Sequence, residues 1–219
     1  MTNAWRMQQI FKRLIELAVV PLALVVVSPV MLVVAVLVLL LHGRPVIFRT
    51  PRVGRFEQVF YQYKFRSMTN AVGSDGRLLS DVERLTRFGR LIRSLSLDEL
   101  PQLFNVLKGD MSLVGPRPLP AVYMFRYDLQ ERRRHDVRPG LTGLAQIRGR
   151  NLLTWPQKLS ADIEYVEVFS LWLDLKIVVK TFDTLVRRTG ISANGHATAP
   201  EFMGSTVSVP VRYSDSVAS

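Results

Sequence analysis

The chain has 219 residues, 48% of them hydrophobic, a net charge of +11 carried mostly by arginine, and no cysteine. Disulfides and cysteine–zinc sites are therefore excluded, and His42, His135 and His196 match no metal-ligand spacing and read as ordinary surface residues. The arginine surplus favours an anionic partner, because a guanidinium fork grips phosphate oxygens in pairs.

The first element is the apolar run Leu17–Leu41, which is uncharged and interrupted only by Pro21, Ser28 and Pro29. It is too long for a signal peptide, and His42-Gly43-Arg44 offers no cleavage site, so the run reads as membrane-embedded. As one helix it would reach roughly 37 Å, enough to span the ~30 Å hydrocarbon core. Ser28–Pro29 near its midpoint argues for a kink or break, since proline removes a donor and the serine hydroxyl can bond a carbonyl one turn earlier. Each half would then be only about 18 Å long. Both flanks are basic, with Arg6, Lys12 and Arg13 before the run and Arg44, Arg49, Arg52 and Arg55 after it. Because lysine and arginine mark the cytoplasmic side, a re-entrant hairpin is favoured over a kinked spanning helix. Residues 1–43 are thus expected to form the anchor.

Residues 44–68 read as extended structure, with Val46–Ile47–Phe48 and Val59–Phe60–Tyr61 as strand-like runs and Lys64–Phe65–Arg66 following. Asn70–Gly76 is a loop. The spacing predicts a helix over 81–93 with Leu85, Phe88, Leu91 and Ile92 inward and Arg84, Arg87, Arg90 and Arg93 as a basic stripe. A second helix is predicted from Asp98 to Leu107, then a rigid loop from Val114 to Pro118, in which two prolines flank Arg117. A helix over 120–134 follows, and then a turn region running from Pro139–Gly140 through Gly143 and Gly149. Ser160–Arg188 reads as one amphipathic helix with Val166, Phe169, Trp172, Leu173 and Ile177 on its apolar side. Such a helix either lies in the headgroup plane or faces the core. From Ser192 the chain is polar and reads as a disordered tail. The expected fold class is α+β, mostly helical, with a small cytosolic catalytic domain over 44–190, short strands and interface helices, and a tail over 191–219.

No Walker loop, G-x-G-x-x-G, H-E-x-x-H or G-x-S-x-G occurs. The densest chemistry is Asp98–Glu99. One reading makes Ser96 or Asp98 a helix cap and Glu99 a complement to the helix dipole. The other makes the pair a site: the arginine stripe leads into it, Arg117 is locked between prolines, and Lys64 adds a compact charge. Cations of this kind hold carboxylates ionised and neutralise a transferring phosphoryl group, and carboxylates also bind Mg²⁺. A nucleic-acid partner is disfavoured, because the cations sit beside carboxylates rather than among exposed aromatics. A non-catalytic envelope scaffold is the remaining alternative.

The runs YKFRSM at 63–68 and RSLSLDELPQLFNVLKGDMSLVGPRP at 93–118 resemble the bacterial sugar transferases, monotopic polyprenyl-phosphate phosphoglycosyl transferases. RPGLTGLAQIRGRN at 138–151 and SLWLDLK at 170–176 are similar to that family's later motifs, and the likeness covers about residues 10–188. The resemblance implies transfer of a sugar 1-phosphate from a UDP-sugar to undecaprenyl phosphate, releasing UMP, as the first membrane step of polysaccharide or glycoconjugate assembly. It implies Asp98 as nucleophile, passing through a phospho-aspartate, with Glu99 as Mg²⁺ ligand or acid–base partner and Asp98 sharing the metal. It further implies phosphate or substrate contacts from Lys64, Arg93, Arg117, Arg138 and Gln146, a membrane helix broken at Ser28–Pro29, and a place among membrane lipids on the cytoplasmic face of the inner membrane. Departures are His42-Gly-Arg-Pro45, where the family often has Ser-Pro-Gly-Pro, and the stretch Phe56–Gln58 in place of a usual glycine. Starting at the anchor, the chain is expected to be the minimal catalytic form. Its sugar and its oligomeric state are not set by the sequence.

Overall fold

The computed structural model describes residues 3–187 and 201–204. The first element, α1 (Asn3–His42), is one helix in which Pro21 and Pro29 both lie inside. The expected two half-helices are thus a single assigned element, and Ser28 shows how the ladder is kept satisfied. Pro29 cannot donate to the Val25 carbonyl, and the Ser28 hydroxyl does so instead at 2.8 Å.

One face of α1 packs along the globular part from end to end. Val20 joins Phe60, Leu103, Val106 and Met111, while Val34 and Val38 join Phe65 and Ile92. The opposite face is apolar and bare: Leu22, Val25, Val26, Leu32, Val33 and Leu40 are all exposed. The helix reaches a mean hydropathy of 3.2 over its most apolar window, of which only 11% is buried. An apolar surface of this length has no stable partner in water, so α1 marks a membrane-associated protein.

Two buried charges precede the apolar run and dock it. The Lys12 ammonium donates to the Val114 carbonyl at 2.6 Å and the Tyr165 hydroxyl at 2.9 Å, and pairs with Asp174 at 2.7 Å. Glu16 accepts from the Ser112 hydroxyl at 2.5 Å and the Leu113 N–H at 2.9 Å. At the far end His42 bonds the Arg66 carbonyl and the Thr86 hydroxyl, so it is a structural contact rather than a surface residue.

The extended region forms an antiparallel hairpin, β1 (Ile47–Val53) with β2 (Val59–Phe65), in the register Val53↔Val59 to Ile47↔Phe65. The predicted helix over 81–93 is two helices, α2 (Asp81–Arg84) and α3 (Arg87–Ser94). The break arises because Leu85 bridges Met68 and Thr86 becomes the N-cap of α3, accepting from the Gly89 N–H at 2.9 Å. The helix from Asp98 is likewise divided, into a 3₁₀ turn over Leu97–Glu99 and α4 (Gln102–Lys108). Arg13 reaches the Val106 and Leu107 carbonyls in the last turn of α4.

β3 (Ser112–Val114) runs parallel to β4 (Gly140–Thr142). A side chain on Gly140 would fall 2.1 Å from the Gly115 nitrogen, and one on Gly143 would fall 2.1 Å from the Gly115 carbonyl oxygen. These glycines let two backbones touch, which places the loop carrying Arg117. The predicted helix over 120–134 is a 3₁₀ turn (Ala121–Arg126), the short α5 (Leu129–Arg132) and a further 3₁₀ turn (Arg133–Asp136). Asp128 resets the chain between them by capping α5. His135 there is buried, and burial pushes its imidazole down to about 3, so it is a neutral core residue and not a surface one.

After α6 (Leu144–Arg148), the long predicted amphipathic helix is α7 (Trp155–Glu167) and α8 (Leu171–Arg187), parted at Val168–Ser170. Val166, Phe169 and Ile177 are in the core. Trp172 instead lies on an exposed stripe of α8 with Leu175, Val179 and Phe182, spaced at helical intervals. Within the expected tail, Phe202 is 2% exposed in an aromatic cluster. The rest of that tail and His196 lie outside the described residues.

Candidate active site

Ser96 takes a left-handed conformation (φ 55°) and drives the chain into the 3₁₀ turn that carries Asp98 and Glu99. For a non-glycine residue this is strain on the order of 1 kcal/mol, held by the surrounding packing. Neither Ser96 nor Asp98 makes a capping bond, so the capping reading of this segment does not hold.

The turn is fastened to β2 from the other side of α4. Asn105, fully buried, accepts from the Tyr63 N–H at 3.0 Å and donates to the Tyr61 carbonyl at 2.8 Å. Gln62 donates to Gln102 at 3.0 Å. With α4 and β2 locked in register, Lys64 at the end of the strand reaches Glu99 at 2.7 Å. Arg117 arrives from the glycine-packed loop and meets the same carboxylate oxygen at 2.6 Å.

The two carboxylates are thereby driven apart. Burial works to raise Glu99, but Arg117 and Lys64 outweigh it and hold the group well below the usual carboxylate range. Burial, with Glu99 adding to it, lifts Asp98 from 3.8 to about 6, while Lys64, Arg93 and Arg117 pull the other way. Glu99 is therefore a fixed anion inside a cation clamp, and Asp98 is a 7%-exposed carboxyl poised near neutrality. For a reaction that needs Asp98 ionised, kcat/KM should fall about tenfold per pH unit below roughly pH 6. A flat profile between pH 5 and 8 would remove Asp98 from that role.

Of the residues singled out from the sequence, Lys64, Arg93 and Arg117 come together around the dyad. Arg93 donates to the Ser67 hydroxyl at 2.8 Å. Arg138 is elsewhere: it donates to the Gly109 carbonyl at 2.9 Å, at the opposite end of α4 from the dyad, among Arg13 and Glu16. Gln146 is buried on α6, with both side-chain polar atoms lacking a protein partner. Two cations were missed. Arg150, at a left-handed position after Gly149, is depressed by burial and by Arg117, and feels Glu99 and Asp98 in the opposite sense. Arg52 is depressed by burial and Arg117, with Glu99 also within reach. Arg150 could have been noticed as a second arginine flanking a glycine, whereas Arg52 had no signal beyond its charge.

A sequence model of the bacterial sugar transferases matches residues 7–188. The chain belongs to that family. It is 48% identical over 196 residues to "Uncharacterized sugar transferase EpsL" of Bacillus subtilis, covering 90% of this chain and 97% of that protein. It is 42% identical over 190 residues to a "UDP-N-acetylgalactosamine-undecaprenyl-phosphate N-acetylgalactosaminephosphotransferase" of Aeromonas hydrophila. That match takes in 83% of this chain and 44% of the longer relative. A "UDP-glucose:undecaprenyl-phosphate glucose-1-phosphate transferase" of Caulobacter vibrioides is 38% identical over 80% of this chain and 69% of that one. The matched span of this sugar transferase contains the dyad and all the cations described around it.

Proposed function

We propose that this protein is an undecaprenyl-phosphate sugar phosphotransferase that moves a sugar 1-phosphate from a UDP-sugar to the lipid phosphate by way of Asp98. The observation that carries the reading is the division of the dyad: Glu99 locked by Lys64 and Arg117, Asp98 buried and raised beside it. An Asp98 oxygen forms a bond to the sugar-linked phosphorus while the bond to the bridging oxygen breaks, and UMP leaves with that electron pair. An oxygen of the lipid phosphate then attacks the same phosphorus, and the bond to Asp98 breaks to restore the carboxylate. Splitting a difficult transfer in two is the usual gain of a covalent intermediate. Arg117, Lys64, Arg93 and Arg150 line the place where negative charge accumulates.

Mg²⁺ binds through one or two carboxylates together with substrate phosphates and waters. Asp98 and Glu99 supply two adjacent carboxylates, and no group of three or more His, Cys, Asp or Glu among the described residues could cage an ion. That donor set fits a cation that arrives with the donor diphosphate, where it would neutralise part of the phosphate charge.

The same reading sets the protein on one membrane face, the cytoplasmic one, with both ends of α1 on that side. Its support is that both ends of the apolar segment, Val20 and Val38, pack on one globular body. A straight crossing would carry those ends to opposite sides. The exposed stripe of α8 adds a second apolar surface suited to the headgroup boundary.

The decisive experiment incubates the protein with Mg²⁺ and a UDP-sugar labelled in the sugar, across a panel of donors, without lipid. One equivalent of UMP and a labelled protein are expected, with the label released on adding undecaprenyl phosphate. Turnover without protein labelling would overturn the covalent route, and no UMP from any donor would overturn the activity. Because the chain has no cysteine, Asn3→Cys and Arg44→Cys report the anchor cleanly, and labelling from opposite faces would sink the one-face reading.

A further inference from the structure

Residues 201–204 lie beyond the span matched by the family, yet Phe202 is 2% exposed, within the range of the core residues. Its ring stacks on Tyr127 with centroids 5.5 Å apart, lies edge-on to Tyr123 at 5.6 Å and meets Trp155 at 5.3 Å. The backbone is held as well. The Phe202 N–H donates to the Tyr123 hydroxyl at 3.1 Å, Arg126 donates to the Phe202 carbonyl, and Arg126 pairs with Glu201 at 2.7 Å. Aromatic contacts, a main-chain bond and an ion pair together make a seated segment rather than a passing one.

The socket leads inward. Tyr127 accepts from Arg134 at 3.4 Å. Arg134, 2% exposed, forks onto one oxygen of Asp162 at 2.6 and 3.1 Å and donates to the Arg117 carbonyl at 2.7 Å. Arg117 in turn holds Glu99. Phe202, Tyr127, Arg134, Arg117 and Glu99 thus form an unbroken line of direct contacts from the docked segment to the dyad.

We propose that Phe202 is a positioning residue for the anion clamp: by filling the aromatic socket it fixes Tyr127 and Arg134, and through them the backbone of Arg117. This rests on the reading of Asp98–Glu99 as the phosphoryl-transfer site. The physical basis is the narrow tolerance of such clamps, where a displacement of about 1 Å in a charge-stabilising group costs on the order of a hundredfold in rate. With the socket empty, Tyr127 loses its stacked partner and Arg134 loses the wall that orients it. The Arg117 backbone is then held by a less constrained Arg134.

The test measures kcat and KM for UMP release in the full chain, per folded enzyme as judged from the melting transition, for Phe202→Ala, Phe202→Leu, Arg117→Ala and the double variant Phe202→Ala/Arg117→Ala. Phe202→Ala should lose at least tenfold in kcat and Phe202→Leu should regain most of it. The double variant should be no slower than Arg117→Ala, because the two act along one line. Unchanged kcat per folded Phe202→Ala enzyme, even at a lowered melting temperature, would reduce Phe202 to a stability contact and overturn the proposal. Losses that multiply in the double variant would also overturn it, by routing the effect around Arg117. Normal turnover by Arg117→Ala would instead bring down the reading of the site itself.

Discussion

Asp98→Asn should abolish sugar-phosphate transfer, lowering kcat by about a thousandfold or more, while making the protein more stable at pH 8. The loss follows from removing the attacking oxygen, for which the amide is no substitute. The gain follows from burial. Asp98 binds its proton more tightly in the folded chain, since its value rises from 3.8 to about 6 on folding. The stability contributed by that proton is fully present below pH ~4 and lost as the pH climbs through 6, so at pH 8 the ionised group is a net cost on the order of 3 kcal/mol. The neutral amide escapes that cost, and the difference between the two proteins should vanish below about pH 4. Thermal melts of both proteins at pH 4 and pH 8, beside UMP-release assays, check the two halves. A destabilised Asp98→Asn at pH 8, or one that turns over, would contradict this account of the dyad.

Lys12→Met should damage the fold strongly while leaving the site residues untouched. The ammonium is 7% exposed and serves Val114, Tyr165 and Asp174 at once. Removing it strands the Asp174 carboxylate in the core, and breaking a buried pair from one side costs about 3–5 kcal/mol. For a domain of this size that corresponds to a fall of roughly 10 °C in melting temperature. The double variant Lys12→Met/Asp174→Leu should recover much of it, because the penalty belongs to the stranded charge and not to the missing pair. Melting curves in detergent or lipid discs decide the matter. An unchanged transition for Lys12→Met would mean that α1 is not held to the body by this contact.

Residue types alone drew attention to Asp98–Glu99 but left a helix cap open beside a site. Asp98–Glu99 stands out because two adjacent carboxylates lie among cations able to hold them ionised, and the prolines beside Arg117 restrict its backbone. The strands were readable from their β-branched and aromatic runs. The helix divisions were not, since their causes are tertiary: Thr86 turns from helix interior to cap only because Leu85 pairs with Met68 and His42 bonds its hydroxyl. Lys12 looked like one more charge on a basic flank, although Lys12, Glu16 and Val20 share one face at four-residue steps, all buried. Phe202 was hidden by its neighbours. A lone aromatic in a polar stretch gives no period to read, and its socket is assembled from residues far earlier in the chain, Tyr123, Tyr127 and Trp155.

The seam between α1 and the body bears on which membranes this protein could serve. A helix that crosses must match its apolar length to the thickness of the bilayer, and pays for mismatch by tilting or by thinning the lipid around it. Here both ends of α1 are fastened to the same structure, by Lys12 and Glu16 at one end and by Val38 and His42 at the other. With α1 entering and leaving by one face, as proposed above, the height of Asp98 above the acyl chains is an internal dimension of the protein. Short-chain and long-chain lipids should present the lipid phosphate to it at the same level.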